Sequence, residues 1–117
     1  DLNPGKNAPF YINRYKNALL FDDHLVEQDL AVLDKYHLFK NTVVIITADH
    51  GNEFDDNHQG YWGHGSNLTQ YQVRTPLIIY WPNQTPSIFN QQTSHYDLAT
   101  TLLTKVFGCK NPPLDYS

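Results

Sequence analysis

The run Val43-Val44-Ile45-Ile46-Thr47-Ala48 restricts the fold more than any other stretch of the chain. Its residues are β-branched up to the closing Ala48, and apolar positions do not alternate with polar ones, as happens when a strand is covered on both faces. A central, parallel strand is the expectation. The run stops abruptly at Asp49-His50-Gly51. In layered α/β folds ligands gather beyond the carboxyl ends of the strands, so these residues are where chemistry should be sought first.

The flanks agree with such a layer. Ile12, Tyr15, Leu19, Val26, Leu33 and Tyr36 recur at helical spacing, with Ala18, Leu25 and Leu30 widening the stripe, and predict an amphipathic helix over residues 12–36. Asp22 interrupts the stripe and Asp23 lies at its edge, where a solvated carboxylate competes with a ligand. A second apolar run, Pro76-Leu77-Ile78-Ile79-Tyr80-Trp81-Pro82, carries a proline at each end, as a short strand tolerates. Ser94 followed by Asp97 is a capping-box signature for a last helix, with Leu98, Thr101, Leu102 and Val106 on its buried face. Gly108 should stop that helix and Pro112-Pro113 prevent its resumption. The order helix, strand, long loop, strand, loop, helix predicts an α/β fold with helices packed on a mostly parallel sheet.

At 117 residues the chain is large enough for one folding unit and too small for two independent cores. Met is absent, and Asp1-Leu2-Asn3-Pro4-Gly5-Lys6-Asn7 has the composition of a turn-rich lead-in over residues 1–10, so a piece of a longer polypeptide is expected. The net charge of -4 and scattered basic residues exclude a nucleic-acid surface, which needs clustered Lys and Arg. No apolar run approaches the length of a membrane-spanning helix. The single Cys109 cannot form an internal disulfide and is read as structural or incidental.

Residues 50–74 form a long loop, polar, aromatic and punctuated by glycine, of the kind that is functional inside a compact domain. Asp49 and His50 can reach one Zn²⁺ or Mn²⁺ from a strand terminus, although a histidine bonded to an aspartate at a turn has the same sequence. His64, in Tyr61-Trp62-Gly63-His64-Gly65-Ser66, is flanked by glycines that permit close backbone approach. It could meet a second cation or a phosphoryl oxygen, with Tyr61 and Trp62 lining a substrate wall, or it could be a loop histidine packed on aromatics. His58 reads as solvated. His24 and His37 have no partner at useful spacing.

Taken in order, the helix with Asp23, the stretch from Asn41 through Asp49-His50-Gly51, then His64, Arg74-Thr75-Pro76-Leu77-Ile78-Ile79 and His95-Tyr96-Asp97-Leu98 resemble the C-terminal half of the sulfatase and alkaline phosphatase superfamily. The resemblance implies a partial alkaline-phosphatase-like sandwich, with residues 1–117 a C-terminal portion of one sulfatase-like domain. It implies a phosphate- or sulfate-ester hydrolase or transferase in which Asp49 and His50 bind a divalent metal (Zn, Mn, Mg or Ca) and His64 contacts the ester phosphate or a second ion. The family's nucleophile and its further acidic ligand match nothing here, and Cys109 is not that nucleophile, so the chain alone should show no turnover and bind metal weakly.

The loop from Asp49 to Asn57, the segment 61–67 and the ending Pro113-Leu114-Asp115-Tyr116-Ser117 look more narrowly like an enterobacterial inner-membrane branch. That resemblance implies a domain on the periplasmic side of a bacterial inner membrane. Its partners would be a phospholipid or lipid A head group or another ester, and an inner-membrane protein. It also opens the alternative of a non-catalytic sensor of outer-membrane lipopolysaccharide homeostasis.

Overall fold

The computed structural model describes residues 4–110, so the expectations for residues 1–3, for Pro112-Pro113 and for the ending 113–117 lie outside the described residues. The chain divides into two compact units, Asp1–Gln84 and Thr85–Ser117.

The first unit opens with α1, Pro4–Lys35, which reaches back through most of the stretch expected to be a turn-rich lead-in. A proline is well placed at the first position of a helix, because the N–H it lacks would have no intrahelical partner there. Pro9 lies inside the helix but still near its start, so little of the hydrogen-bond ladder is lost. Ile12, Val26, Leu30 and Leu33 are half-buried, as the stripe predicts. Tyr15, Leu19, Leu25 and Tyr36 remain exposed, and so do Asp22 and Asp23. Tyr15 still meets the site loop edge-on, its ring 5.0 Å from that of Phe54.

After a 3-10 turn at Leu38–Lys40 comes β1, Val44–Thr47, the core of the run that constrained the fold. It pairs with β4, Leu77–Tyr80, in the register Val44 with Tyr80 through Thr47 with Leu77. The pairing is antiparallel. The α/β class holds, while the parallel arrangement expected for this strand is not what the described strands show. An unbroken β-branched run specifies extended backbone; the direction of its neighbour is set by contacts distant in sequence. Thr47 Oγ1 closes the end of the ribbon by donating to Pro76 O at 2.7 Å, and Tyr80 leans on Phe39 with ring centroids 5.0 Å apart.

Covering on both faces is also not seen. β1 is half-buried and β4 exposed, and among the described residues no apolar side chain is fully buried. An open apolar cleft of about 390 Å³ is lined by Leu30, Phe39, Val44, Ile46, Ile78 and Tyr80.

In the second unit α3, His95–Lys105, begins where the Ser94/Asp97 signature predicts. The Asp97 carboxylate accepts from the Ser94 N–H at 2.6 Å and from its hydroxyl at 3.1 Å. Leu98 and Leu102 are half-buried, whereas Thr101 and Val106 are exposed and Leu103 takes an inward position instead. Gly108, at φ 68°, adopts the left-handed backbone expected just past a helix end.

Candidate functional site

Beyond β1 the chain bends at Asp49 and His50, and the two side chains turn toward each other. Asp49 Oδ1 accepts from the His50 N–H at 3.0 Å. His50 Nδ1 lies 2.9 Å from Gly51 O, an acceptor, so this nitrogen donates. On the other side of the ring Nε2 stands 3.5 Å from Asp49 Oδ2. Neither side chain is buried in an apolar layer: 86% of the Asp49 and 42% of the His50 side chain is accessible.

Gly51 follows, and close packing is what demands a glycine there. It has no positive φ; instead, a Cβ there would run into the carbonyl oxygen of Tyr71 and come within 3.0 Å of that of Arg74. Its N–H donates to Gln72 O at 2.8 Å. The bend is thus laid directly against α2, the single turn Gln70–Val73.

The stretch expected as one irregular loop contains a small ribbon. β2, Glu53–Phe54, pairs antiparallel with β3, Trp62–Gly63, placing Glu53 opposite Gly63. The Asp55 and Asp56 carboxylates hold the connection, accepting from the N–H groups of Gly60 and Phe54. The ribbon delivers His64 beside His50. Gly63 (φ 86°) and Gly65 (φ 76°) bracket it in left-handed backbone, with open space where a Cβ would stand, so these glycines serve conformation and not the close approach expected.

The His50 and His64 rings stack, with centroids 3.9 Å apart and planes inclined by 28°. Both line a cavity of about 370 Å³ with Asp49, Gly65, Asn67 and Gln72. The three residues singled out from sequence therefore meet in one cleft, with His64 lying directly against His50. Ring-nitrogen lone pairs lie in the ring plane, so near-parallel stacked imidazoles do not converge on one point as two ligands of a single ion would. Among the described residues no three His, Cys, Asp or Glu side chains are grouped to hold a metal.

Asp49 Oδ2 and His50 Nε2 do fit a shared ion. Two ligands each about 2.1 Å from a tetrahedral ion stand roughly 3.4 Å apart, close to the observed separation. The Nδ1–H bond to Gly51 O supplies the outer-shell contact that orients a ligating histidine.

Other expectations fall away from the cleft. Trp62 packs on Phe54, with ring centroids 6.1 Å apart, and neither it nor Tyr61 lines the cavity. His58 sits exposed in the ribbon's turn, His24 contacts Glu27 and Gln28 on α1, and His37 precedes the 3-10 turn.

Sequence reasoning missed Glu53 and Gln72, the two side chains of the described residues that are buried, at 0% and 3% exposure. Gln72 Nε2 donates to Glu53 Oε2 at 2.8 Å, Thr69 Oγ1 donates to the same oxygen at 2.9 Å, and Asn57 Nδ2 reaches Oε1 at 3.4 Å. A buried carboxylate without such donors would cost several kcal/mol, on the order of its lost hydration. The only sequence signal was an acid and an amide inside the loop, which is also what a solvated loop contains.

A sulfatase family model matches residues 4–108. The chain belongs to the sulfatase family. Among curated relatives, this sulfatase chain is 31% identical to the inner membrane protein YejM of Salmonella typhimurium over 95% of its own length and 18% of that protein's. It is 33% identical to an uncharacterized protein of Haemophilus influenzae over 67% of the chain and 13% of the relative. A rat steryl-sulfatase is 35% identical over 58% of the chain and 14% of the enzyme. The sulfatase chain thus spans less than a fifth of the relatives it matches. No solved structure gives a significant match.

Proposed function

We propose that this chain supplies one side of a divalent-metal site for phosphate or sulfate esters in an inner-membrane sulfatase-like protein. Asp49 and His50 hold the ion, and His64 receives the ester. The observation that carries this reading is the 3.5 Å approach of Asp49 Oδ2 and His50 Nε2 in a cleft that His64, stacked on His50, also lines. A bound ion would act there as a Lewis acid on an ester oxygen. The chain's own residues do the rest: Gly51 O holds the His50 proton on Nδ1, the Asp49 carboxylate offers Oδ2, and His64 presents ring nitrogens with no hydrogen bond among the described residues. A donor at that position stabilises charge as it develops on the ester's non-bridging oxygens.

The fit to the inner membrane protein YejM along most of the chain supports a location at that membrane; the periplasmic side is part of this proposal. In a second reading of the same cleft, a phospholipid or lipid A head group, itself a phosphate ester, is recognised here without being cleaved.

Manganese titration of the complete protein by calorimetry, paired with turnover of p-nitrophenyl phosphate and p-nitrophenyl sulfate, tests both. Asp49→Ala should abolish manganese binding. His64→Ala should leave it intact and lower kcat/KM by roughly 100-fold, as loss of one preorganised donor does. Manganese and phosphate binding without turnover selects the second reading. Unchanged manganese binding in Asp49→Ala sinks both.

A further inference from the structure

Glu53 and Gln72 stand outside the ester chemistry, yet their bonds end on both sides of the cleft. The Gln72 main chain takes the His50 side, its carbonyl accepting from the Gly51 N–H at 2.8 Å. Its side chain takes the His64 side: Oε1 accepts from the N–H groups of Ser66 and Asn67 at 3.2 and 3.4 Å, and Nε2 donates to Ser66 Oγ at 2.8 Å. One residue therefore grips the segment following each imidazole. Thr69 Oγ1 and Asn57 Nδ2 anchor the carboxylate from other parts of the loop.

The carboxamide could be turned either way by shape alone, since its oxygen and nitrogen are nearly the same size. The groups at its two ends decide the matter together: the Ser66 and Asn67 N–H groups can only donate and so select Oε1, and the nitrogen end meets Glu53. The Glu53 Oε2, 2.8 Å from Nε2, accepts and never donates when ionised, so the reverse orientation would set two acceptors against each other in a fully buried place. Only with Nε2 on Glu53 does Oε1 face the Ser66 and Asn67 amides. The strand register adds a second constraint, because Glu53 pairs with Gly63, the residue before His64.

We propose that Gln72, oriented by the buried Glu53 carboxylate, is a positioning residue that holds His64 stacked on His50. The inference rests on the ester-site reading for its consequence and on geometry alone for its structural content. It assigns the pair a role in the site rather than in the core: a polar cluster is retained where an apolar one would be simpler, because it fixes a direction as well as a distance.

The experiment compares Glu53→Gln, Gln72→Glu and the exchanged pair E53Q/Q72E in the complete protein. Three readouts apply: the His50–His64 ring separation in crystal structures, manganese and phosphate affinity by calorimetry, and the thermal midpoint. In Glu53→Gln the Nε2 end of Gln72 loses the charged acceptor that anchors it, and only the Ser66 and Asn67 N–H groups still hold the carboxamide. The rings should separate beyond stacking distance, and phosphate affinity should fall about tenfold, with manganese affinity less affected and the midpoint shifted by only a few degrees. Gln72→Glu opposes two carboxylates and should be worse, and it can fail to fold. The exchange restores a carboxylate facing a carboxamide, with the residue 72 oxygens accepting from Ser66 and Asn67, and should recover both the stacking and the phosphate affinity. Rings that remain stacked in Glu53→Gln overturn the proposal. So does an exchanged pair that regains stability without regaining the stacking. A parent protein that binds neither manganese nor phosphate removes the ester-site reading, while the ring separations still decide the positioning role.

Discussion

A Cβ placed on Gly51 would enter the space of the Tyr71 and Arg74 carbonyl oxygens, which belong to backbone and cannot rotate away. At Gly63 the same Cβ would meet nothing, and the cost is conformational, set by φ 86°. The two glycines near the site are thus glycines for opposite reasons. Gly63→Ala should cost about 1–2 kcal/mol, the penalty of left-handed backbone for an L side chain, and leave the cleft in place. Gly51→Ala should cost about 1–3 kcal/mol through overpacking and also push α2, with Gln72, off the His50 bend. Urea unfolding of the complete protein measures the first difference, and phosphate affinity measures the second. Equal phosphate affinity in Gly51→Ala and the parent would show that the contact with α2 does not matter to the cleft. Asp49, His50 and His64 were legible in the sequence because a polar pair ending a β-branched run and a histidine between glycines are local patterns. The ring stacking and the buried Glu53 were not, since each depends on partners more than a dozen residues away.

At the scale of elements, strength of local pattern separates what the sequence announced from what it hid. β1 and β4 emerged within a residue or two of the expected runs, 43–48 and 76–82, because β-branched and aromatic residues crowd there. The β2–β3 ribbon has two residues a side and no periodicity to read; it exists through pairing across the turn held by Asp55 and Asp56. Strand direction was not legible for the same reason: an unbroken apolar run also fits β1 in its antiparallel pairing with β4. The start of α3 was the most local feature and was read correctly. Its Ser94/Asp97 box can be tested by itself: Asp97→Ala should cost about 0.5–2 kcal/mol and raise amide exchange in the first turn of α3 above that of its last turn. Uniform exchange across the helix in both proteins would mean that the box does not hold this terminus.

For the whole molecule the decisive fact is where the apolar surface lies. Among the described residues the fully buried side chains are polar, whereas Ile78 is 60%, Phe21 61% and Leu20 68% exposed. Cooperative unfolding depends on apolar area that leaves water together on folding, and here most large apolar side chains of α1 and β4 remain wet. The hydrogen bonds of the helices and of the β1–β4 ribbon can persist without that burial, but they give no sharp all-or-none transition. Residues 1–117 prepared alone should therefore keep helical circular dichroism, bind the dye ANS, melt over a broad range and self-associate as concentration rises, as exposed apolar patches of this extent drive. Scanning calorimetry and sedimentation velocity on the same sample check this. A narrow calorimetric peak from a monomer that binds no dye would mean that these apolar side chains leave water in solution, and the open cleft beside Ile46 and Ile78 would then have to be closed.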